Sequence, residues 1–443
     1  MQNPKTARFV SGPTMGHVMT MTSTAAFGLV AIFLVDFVDL YFISLLGEQP
    51  KAALGFALPV SFVMVSIGLG LGVAGTVLTA NALGAGNKEK AQCYTTNIFI
   101  VALCSTGLTG LTLWLSAPGI LYLLGATGET YRLALGFLRI SSLSAPFIGT
   151  SICLFAILRA NGTARIPMLG NLAGAIVNAI LDPVLIFYFE MGMEGAAVAT
   201  VLARIVTFSF ALTGIFIIYR LINRPTIRTF LQDLPQIGFY SLPALSTSIA
   251  TPLGDAVVTS SISRFGDGAV AGWAIVSRII PLAFGTLFAL SGAIGPIVGQ
   301  NLGAKMFDRV RGTLLDAIHI ILIYIFIIWL ILSFSYNHLA DFFSASEASR
   351  DLIRAFCLWY SPMFAFMGMF FISNSTFNNL GKPYYSMGMN WVRATLGTAP
   401  MVYIGGNLYG PNGVIGAYMI NNLVFGCCAL ILCHIMIHYA SRQ

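Results

Sequence analysis

The sequence predicts an all-α polytopic membrane protein, with 12 transmembrane helices arranged as two pseudo-symmetric six-helix bundles. Three observations carry that class. Of the 443 residues, 57% are hydrophobic and 9% charged, with a mean hydropathy of +0.84. Soluble chains carry about 25% charged residues, so this one cannot cover a water-facing surface. The apolar runs are continuous and long enough to cross a bilayer as helices, which takes about 20 residues; barrel strands would be about 10 residues of alternating polarity. Lastly, the chain repeats itself: Gly47 stands 37 residues before Gly84, and Gly266 stands 37 before Gly303.

Polar punctuation divides the first half into spans Gly16–Leu46, Ala52–Ala80, Cys93–Leu115, Tyr131–Leu158, Ile166–Phe189 and Gly195–Tyr219. The second half reads Ile237–Ser263, Ala269–Gly299, Leu314–Phe334, Leu352–Asn374, Pro383–Tyr403 and Gly413–Tyr439. The longest basic stretch, Arg220 to Pro235, separates the two sets. The expected organisation is therefore an N-terminal bundle over 1–222, a cytoplasmic linker over 223–236 and a C-terminal bundle over 237–443. Around the second glycine of each pair the chain reads "TANALGAGNKEKA" and "VGQNLGAKMFDRV"; later, "LDPVLIF" with "GMEGAAVAT" answers "TAPMVYI" with "GPNGVIGAY". An even number of helices per repeat makes the copies parallel, related by an axis along the membrane normal. That arrangement suits alternating access, with substrate held near mid-membrane.

Orientation follows from where Lys and Arg fall. With the N-terminus inside, 14 lie on the cytoplasmic side and five outside (Lys51, Arg132, Arg264, Arg350, Arg354), while Arg139, Arg204, Arg278 and Arg393 lie within spans. Both termini are expected in the cytoplasm, with the chain in the inner (plasma) membrane. The pI near 9.1 then reports topology, and no nucleic-acid partner is expected. The seven cysteines follow no CxxC spacing, so no metal site is signalled, and no cleavable signal peptide is evident. GxxxxGK[ST], HExxH and GxSxG are all absent, which leaves enzyme chemistry and an enzyme cofactor unsupported.

The chemistry concentrates on carboxylates inside spans: Asp36, Asp39, Asp182 and Asp255. Each costs at least about 2.5–3.5 kcal/mol to insert, so such residues usually face the bundle interior and work. Asp39 lies eight residues inward of Gly47 and Asp182 eight inward of Glu190, both about 12 Å below the outer edge. Thr200, six residues past Glu194, falls about 9 Å down, and Asn178 precedes Asp182 by one helical turn. Four oxygen-bearing side chains thus share nearly one depth. A carboxylate pair in low dielectric resists holding two charges, so the pair is expected to take a proton; the same oxygens would suit sodium. Helix-to-helix hydrogen bonding is the plainer alternative. Asp255, as far before Gly266 as Asp36 is before Gly47, is a secondary candidate: a second coupling site, a cation-attracting wall, or a partner of Arg278. Asn81 and Gln300, at nearly matching repeat positions, are expected to cap helices. Pro183 and Pro400 are expected to kink or loosen their helices.

These motifs resemble multidrug and toxic compound extrusion (MATE) transporters. The resemblance rests on "VDLYFISLLGEQPKAALG", "ANALGAGN", "LRANGTARIPM", "NAILDPVLIF", "GAAVAT" and "VGQNLGA" in order, and covers nearly the whole chain. It implies a first-helix aspartate at Asp39 and, by its DinF-like and archaeal branch, cation-site partners at Asn178, Asp182 and Thr200; Asp36 is an extra acid one turn away. The second-half acid of another bacterial branch falls on Thr251, which departs from that pattern. The implied function is export of lipophilic organic cations against inward proton flow, by a monomer needing only a coupling ion, H+ or Na+. A sodium-coupled exporter and a lipid-linked precursor flippase are the alternatives; for the flippase, the scattered intramembrane bases offer no basic central cavity.

Overall fold

The computed structural model describes residues 7–442, apart from the side chains of Asp36 and Phe37. Among the described residues the chain is helical with no strand. Apolar sequence in a membrane must satisfy every backbone polar group within its own segment, and a helix does so. The first half runs α1 (Thr14–Leu45), α2 (Glu48–Gly84), α3 (Lys88–Leu123), α4 (Gly128–Ser142), α5 (Ala145–Ala160), α6 (Arg165–Pro183) and α7 (Gly192–Leu212). The second half runs α8 (Ile227–Ile262), α9 (Asp267–Gly303), α10 (Phe307–Phe342), α11 (Glu347–Ala355), α12 (Phe364–Asn379), α13 (Pro383–Val392) and α14 (Thr398–Ala440).

These elements make the 12 expected crossings once the breaks are read. The single span expected over Tyr131–Leu158 is α4 and α5, bent by 50°. Pro146 sits in the first turn of α5, where its ring disfavours a continuous helix through the preceding residues. The long run Pro383–Ala440 holds two spans, because Tyr409 and Gly410 leave helical geometry.

The repeat extends to backbone conformation. A displacement of 219 residues carries Gly47 onto Gly266, Gly86 onto Lys305, Gly125 onto Ser344 and Gly162 onto Gly381, and all eight have positive φ. Lys305 (φ 58°) and Ser344 (φ 48°) accept a conformation that glycine adopts freely. Gly192 and Gly410, a displacement of 218, are also left-handed.

By contacts the chain divides into two compact units, one holding Thr24–Leu245 and the other Arg8–Ser23 with Ser246–Gln443. The division therefore falls inside α1 and inside α8. In the first unit, ten residues of the expected linker 223–236 are already helical. Thr226 starts α8, its Oγ1 accepting from the Thr229 N–H at 3.3 Å. The stretch docks on α3: Gln92 Nε2 donates to the Arg220 carbonyl (2.8 Å), the Tyr94 hydroxyl to Gln236 Oε1 (2.6 Å) and Asn97 Nδ2 to Asp233 Oδ2 (2.7 Å).

The second unit holds the N-terminal segment in the matching way. The Phe9 N–H donates to Gln300 Oε1 at 2.8 Å, and Asn301 Nδ2 and Arg309 Nη2 donate to the Phe9 carbonyl at 3.2 and 2.9 Å. Thr14 Oγ1 donates to Asp316 Oδ2. Gln300 thus anchors a distant segment rather than capping its helix, while Asn81 Nδ2 donates to the Val77 carbonyl of its own helix at 2.9 Å. The 219-residue displacement carries Asn97 onto Asp316 and Thr14 onto Asp233. Each unit therefore closes one end with a clasp in which the acid and its donor have changed places.

Candidate functional site

The first-half site begins with the packing of α6 on α7. A Cβ at Gly174 would collide with the Thr207 hydroxyl and come within 3.2 Å of the Ala203 carbonyl, so glycine is what lets the helices approach. Along this antiparallel pair, Asn178 and Asp182 stand one and two turns beyond Gly174, level with Thr200 and Ala196. Gly195 continues the close contact, since a Cβ there would lie 2.8 Å from the Leu185 carbonyl. Pro183 has no N–H to continue the ladder, and the chain passes into a π turn over Val184–Tyr188, in which the Phe189 N–H reaches back five residues to Val184 at 3.0 Å. Such π insertions are frequent at functional sites.

Asp182 is 0% exposed and Asn178 1%. Asn178 Nδ2 donates to Asp182 Oδ1 at 3.3 Å. Asp39 of α1 is half-buried and faces both, within side-chain hydrogen-bonding reach. Three buried acceptor oxygens, Asp39 Oδ1, Asn178 Oδ1 and Asp182 Oδ2, have no hydrogen-bond partner among the described residues. Stranding buried acceptors costs about 1–3 kcal/mol each, so the cluster holds acceptor capacity that the described side chains leave unused.

Thr200 spends its hydroxyl on the Ala196 carbonyl of its own helix (3.0 Å) rather than on either acid. Arg204, a turn further on, donates from Nη1 to the Ser144 hydroxyl at the α4–α5 bend, and its charge also acts on Asp39. The side chain of Asp36 lies outside the described residues.

In the second half Asp255 keeps an exposed edge. The partner offered by the sequence, Arg278, is an exposed residue of α9. Asp255 Oδ1 accepts instead from the Tyr418 hydroxyl at 3.2 Å, and the charge of Arg393 acts on both. By sequence, Arg393 is one of four scattered bases within spans. Only its repeat position, in the segment just before Pro400, could have drawn notice.

A two-repeat helical membrane protein with carboxylates buried at mid-depth of one repeat is the architecture of a secondary transporter. The MatE family profile matches this chain twice, over residues 25–184 and 243–404, and the chain belongs to that family: it is a MATE family transporter, a multi-pass membrane protein and not an enzyme. It is 26% identical over 429 residues to a Shewanella oneidensis protein named FAD transporter, covering 94% of each chain. It is 24% identical over 452 residues to the multidrug export protein MepA of Staphylococcus aureus, covering 98% of this chain and 97% of that one. Among solved structures, the Vibrio cholerae MATE transporter VcmN in the bent form superposes with a TM-score of 0.91 at 26% identity, covering 96% of this chain and 98% of that one.

Proposed function

We propose that the protein is a secondary active multidrug exporter that antiports lipophilic organic cations against protons by alternating access. The observation carrying this reading is the convergence of three unpaired, buried acceptor oxygens on Asp39, Asn178 and Asp182. With the two carboxylates ionised, the first half attracts a lipophilic cation. A proton entering from outside neutralises the pair, supplies the missing donor and lowers cargo affinity. A tenfold loss of affinity takes about 1.4 kcal/mol, and one charge moving across 100 mV supplies about 2.3 kcal/mol, so one or two protons suffice. The excess of Lys and Arg on one set of loops puts both termini in the cytoplasm. Carboxylate and amide oxygens also suit a hard cation, which makes sodium the second reading of the same site.

The test is uptake of a fluorescent organic cation into reconstituted vesicles, driven by a pH gradient in sodium-free buffer. Gradient-driven movement that disappears in Asp39→Asn is expected. Recovery only on a sodium gradient would turn the cluster into a sodium site, and normal export by Asp39→Asn would remove it from coupling. The Shewanella relative's name makes FAD the second cargo to offer; FAD movement without cation movement would overturn the cargo class.

A further inference from the structure

The run Pro383–Ala440 turns back on itself where Tyr409 and Gly410 leave helical geometry, so its two spans lie antiparallel. Its glycines show where they touch. A Cβ on Gly405 would collide with the Gly413 carbonyl, and one on Gly397 with Asn421 Oδ1, standing 2.7 Å from the Phe425 ring. The same pairing brings Gly388 of α13 level with Leu432 near the end of α14, yet a Cβ on Gly388 has nothing within 4 Å. The spans therefore part over the nine residues, about 13 Å, from Gly397 back to Gly388. Packing does not call for glycine at 388, and a helix interior disfavours it by about 0.5–1 kcal/mol relative to alanine. The missing side chain leaves space instead: a groove of about 340 Å³ lined by Tyr384, Tyr385, Gly388, Met389 and Leu432. That volume lies within the range of ligand sites, about 300–1,000 Å³.

The groove is apolar within and basic at its mouth. Met389 and Leu432 are half-buried, while Tyr384 and Tyr385 are 52% and 49% exposed. Tyrosines that expose one end and bury the other mark the level of lipid headgroups. Lys382, the residue before α13, is exposed and enters no ion pair among the described residues. No acid follows Asp351 in the chain, so neither wall carries one. Asp308, at the end of the unit where Arg311 meets Ser441, is already engaged by Arg311 at 3.2 Å. A cationic cargo would meet an ammonium here and no carboxylate.

We propose that this groove binds one anionic glycerophospholipid, with an acyl chain along Gly388, Met389 and Leu432 and the phosphate at Lys382. An apolar crevice ending at an unpaired ammonium matches the two parts of such a lipid, and basic pockets between membrane helices take anionic headgroups. The inference is independent of cargo and coupling ion. A chain seated there ties the splayed start of α13 to the end of α14.

Lipid retention by purified protein in dodecyl maltoside, counted by native mass spectrometry, tests the site with dioleoyl phosphatidylglycerol against dioleoyl phosphatidylcholine. The two lipids differ only in headgroup. Wild-type protein should prefer phosphatidylglycerol, and Lys382→Gln should cut that preference about fivefold, the worth of one basic residue near an anionic headgroup, leaving phosphatidylcholine unchanged. Gly388→Leu fills the groove and should weaken both lipids about tenfold. Gly388→Ala, whose methyl meets nothing within 4 Å, should leave both as they are, and neither variant should unfold earlier than wild type when free of lipid. Equal retention of the two lipids by wild type, or an unchanged preference in Lys382→Gln, overturns the proposal. Retention untouched by Gly388→Leu overturns the groove as the seat. Loss of phosphatidylglycerol to excess inorganic phosphate, blind to Gly388→Leu, would make Lys382 a free-anion site. A dimer on size exclusion that Gly388→Leu dissociates, with no lipid retained, would give the groove to a second copy; either result overturns the lipid.

Discussion

Replacing Asp182 by Asn should make the protein more stable and inactive at once. Among the described residues Asp39 Oδ1, Asn178 Oδ1 and Asp182 Oδ2 are buried without donors, and an amide at position 182 brings two N–H donors into their midst while removing one buried charge. Satisfying two stranded acceptors, at about 1–3 kcal/mol each, sets a gain of about 2 kcal/mol or more. In a chain of this size that raises the unfolding midpoint by a few degrees, since each kcal/mol moves a domain of 150–250 residues by about 2–4 °C and larger chains less. Thermal unfolding in detergent, followed by tryptophan fluorescence at pH 8 without sodium, measures it. A proton on the carboxylate pair does the work of the amide. Sodium bound at the same oxygens would stabilise only the wild type, by about 2.7 kcal/mol at a hundredfold excess over its dissociation constant. An Asp182→Asn variant that is unchanged or less stable at pH 8 would refute the reasoning.

Two further outcomes follow from the first unit's Asn97–Asp233 clasp and the α6–α7 contact. Asn97→Ala and Asp233→Ala should each destabilise the first unit, and the double variant should fall short of their sum by about 1.5–3 kcal/mol, as expected for a hydrogen bond to a charged group; additive losses by the same unfolding assay would show the pair uncoupled. Gly174→Leu should drive α6 off Thr207 and the Ala203 carbonyl, costing about 1–3 kcal/mol or more and lowering the yield of monodisperse protein on size exclusion; a wild-type yield would mean the helices have room.

The residues that sequence reading could find are those whose cost is local. Asp39 and Asp182 stand out because a carboxylate in an apolar run is expensive wherever it points, and Asn178 follows from one helical turn. Arg393 does not stand out in that way. It is as conspicuous as Arg139, Arg204 or Arg278 until the fold sets it beside Tyr418 and Asp255, 138 positions away in the chain. Gln300 looked like a cap because its helix end is all the sequence shows, whereas its partner, Phe9, comes from the other end of the chain. Thr200 matched the acids in depth, but its hydroxyl turns to its own backbone, as threonines in helices often do.

The sequence by itself determined the class, the crossings and the repeat, because a bilayer imposes one length on every span and tolerates no unpaired backbone. It could not determine where a span breaks without a long polar gap, as at the 50° bend after α4, nor how the linker docks. Those depend on which side chains meet across the packed units. Only the tertiary structure decided what the acids of each half meet: Asp39 and Asp182 gather with Asn178 in one, while Asp255 takes the Tyr418 hydroxyl in the other. Charge balance in a medium that cannot solvate charge is a property of neighbours in space.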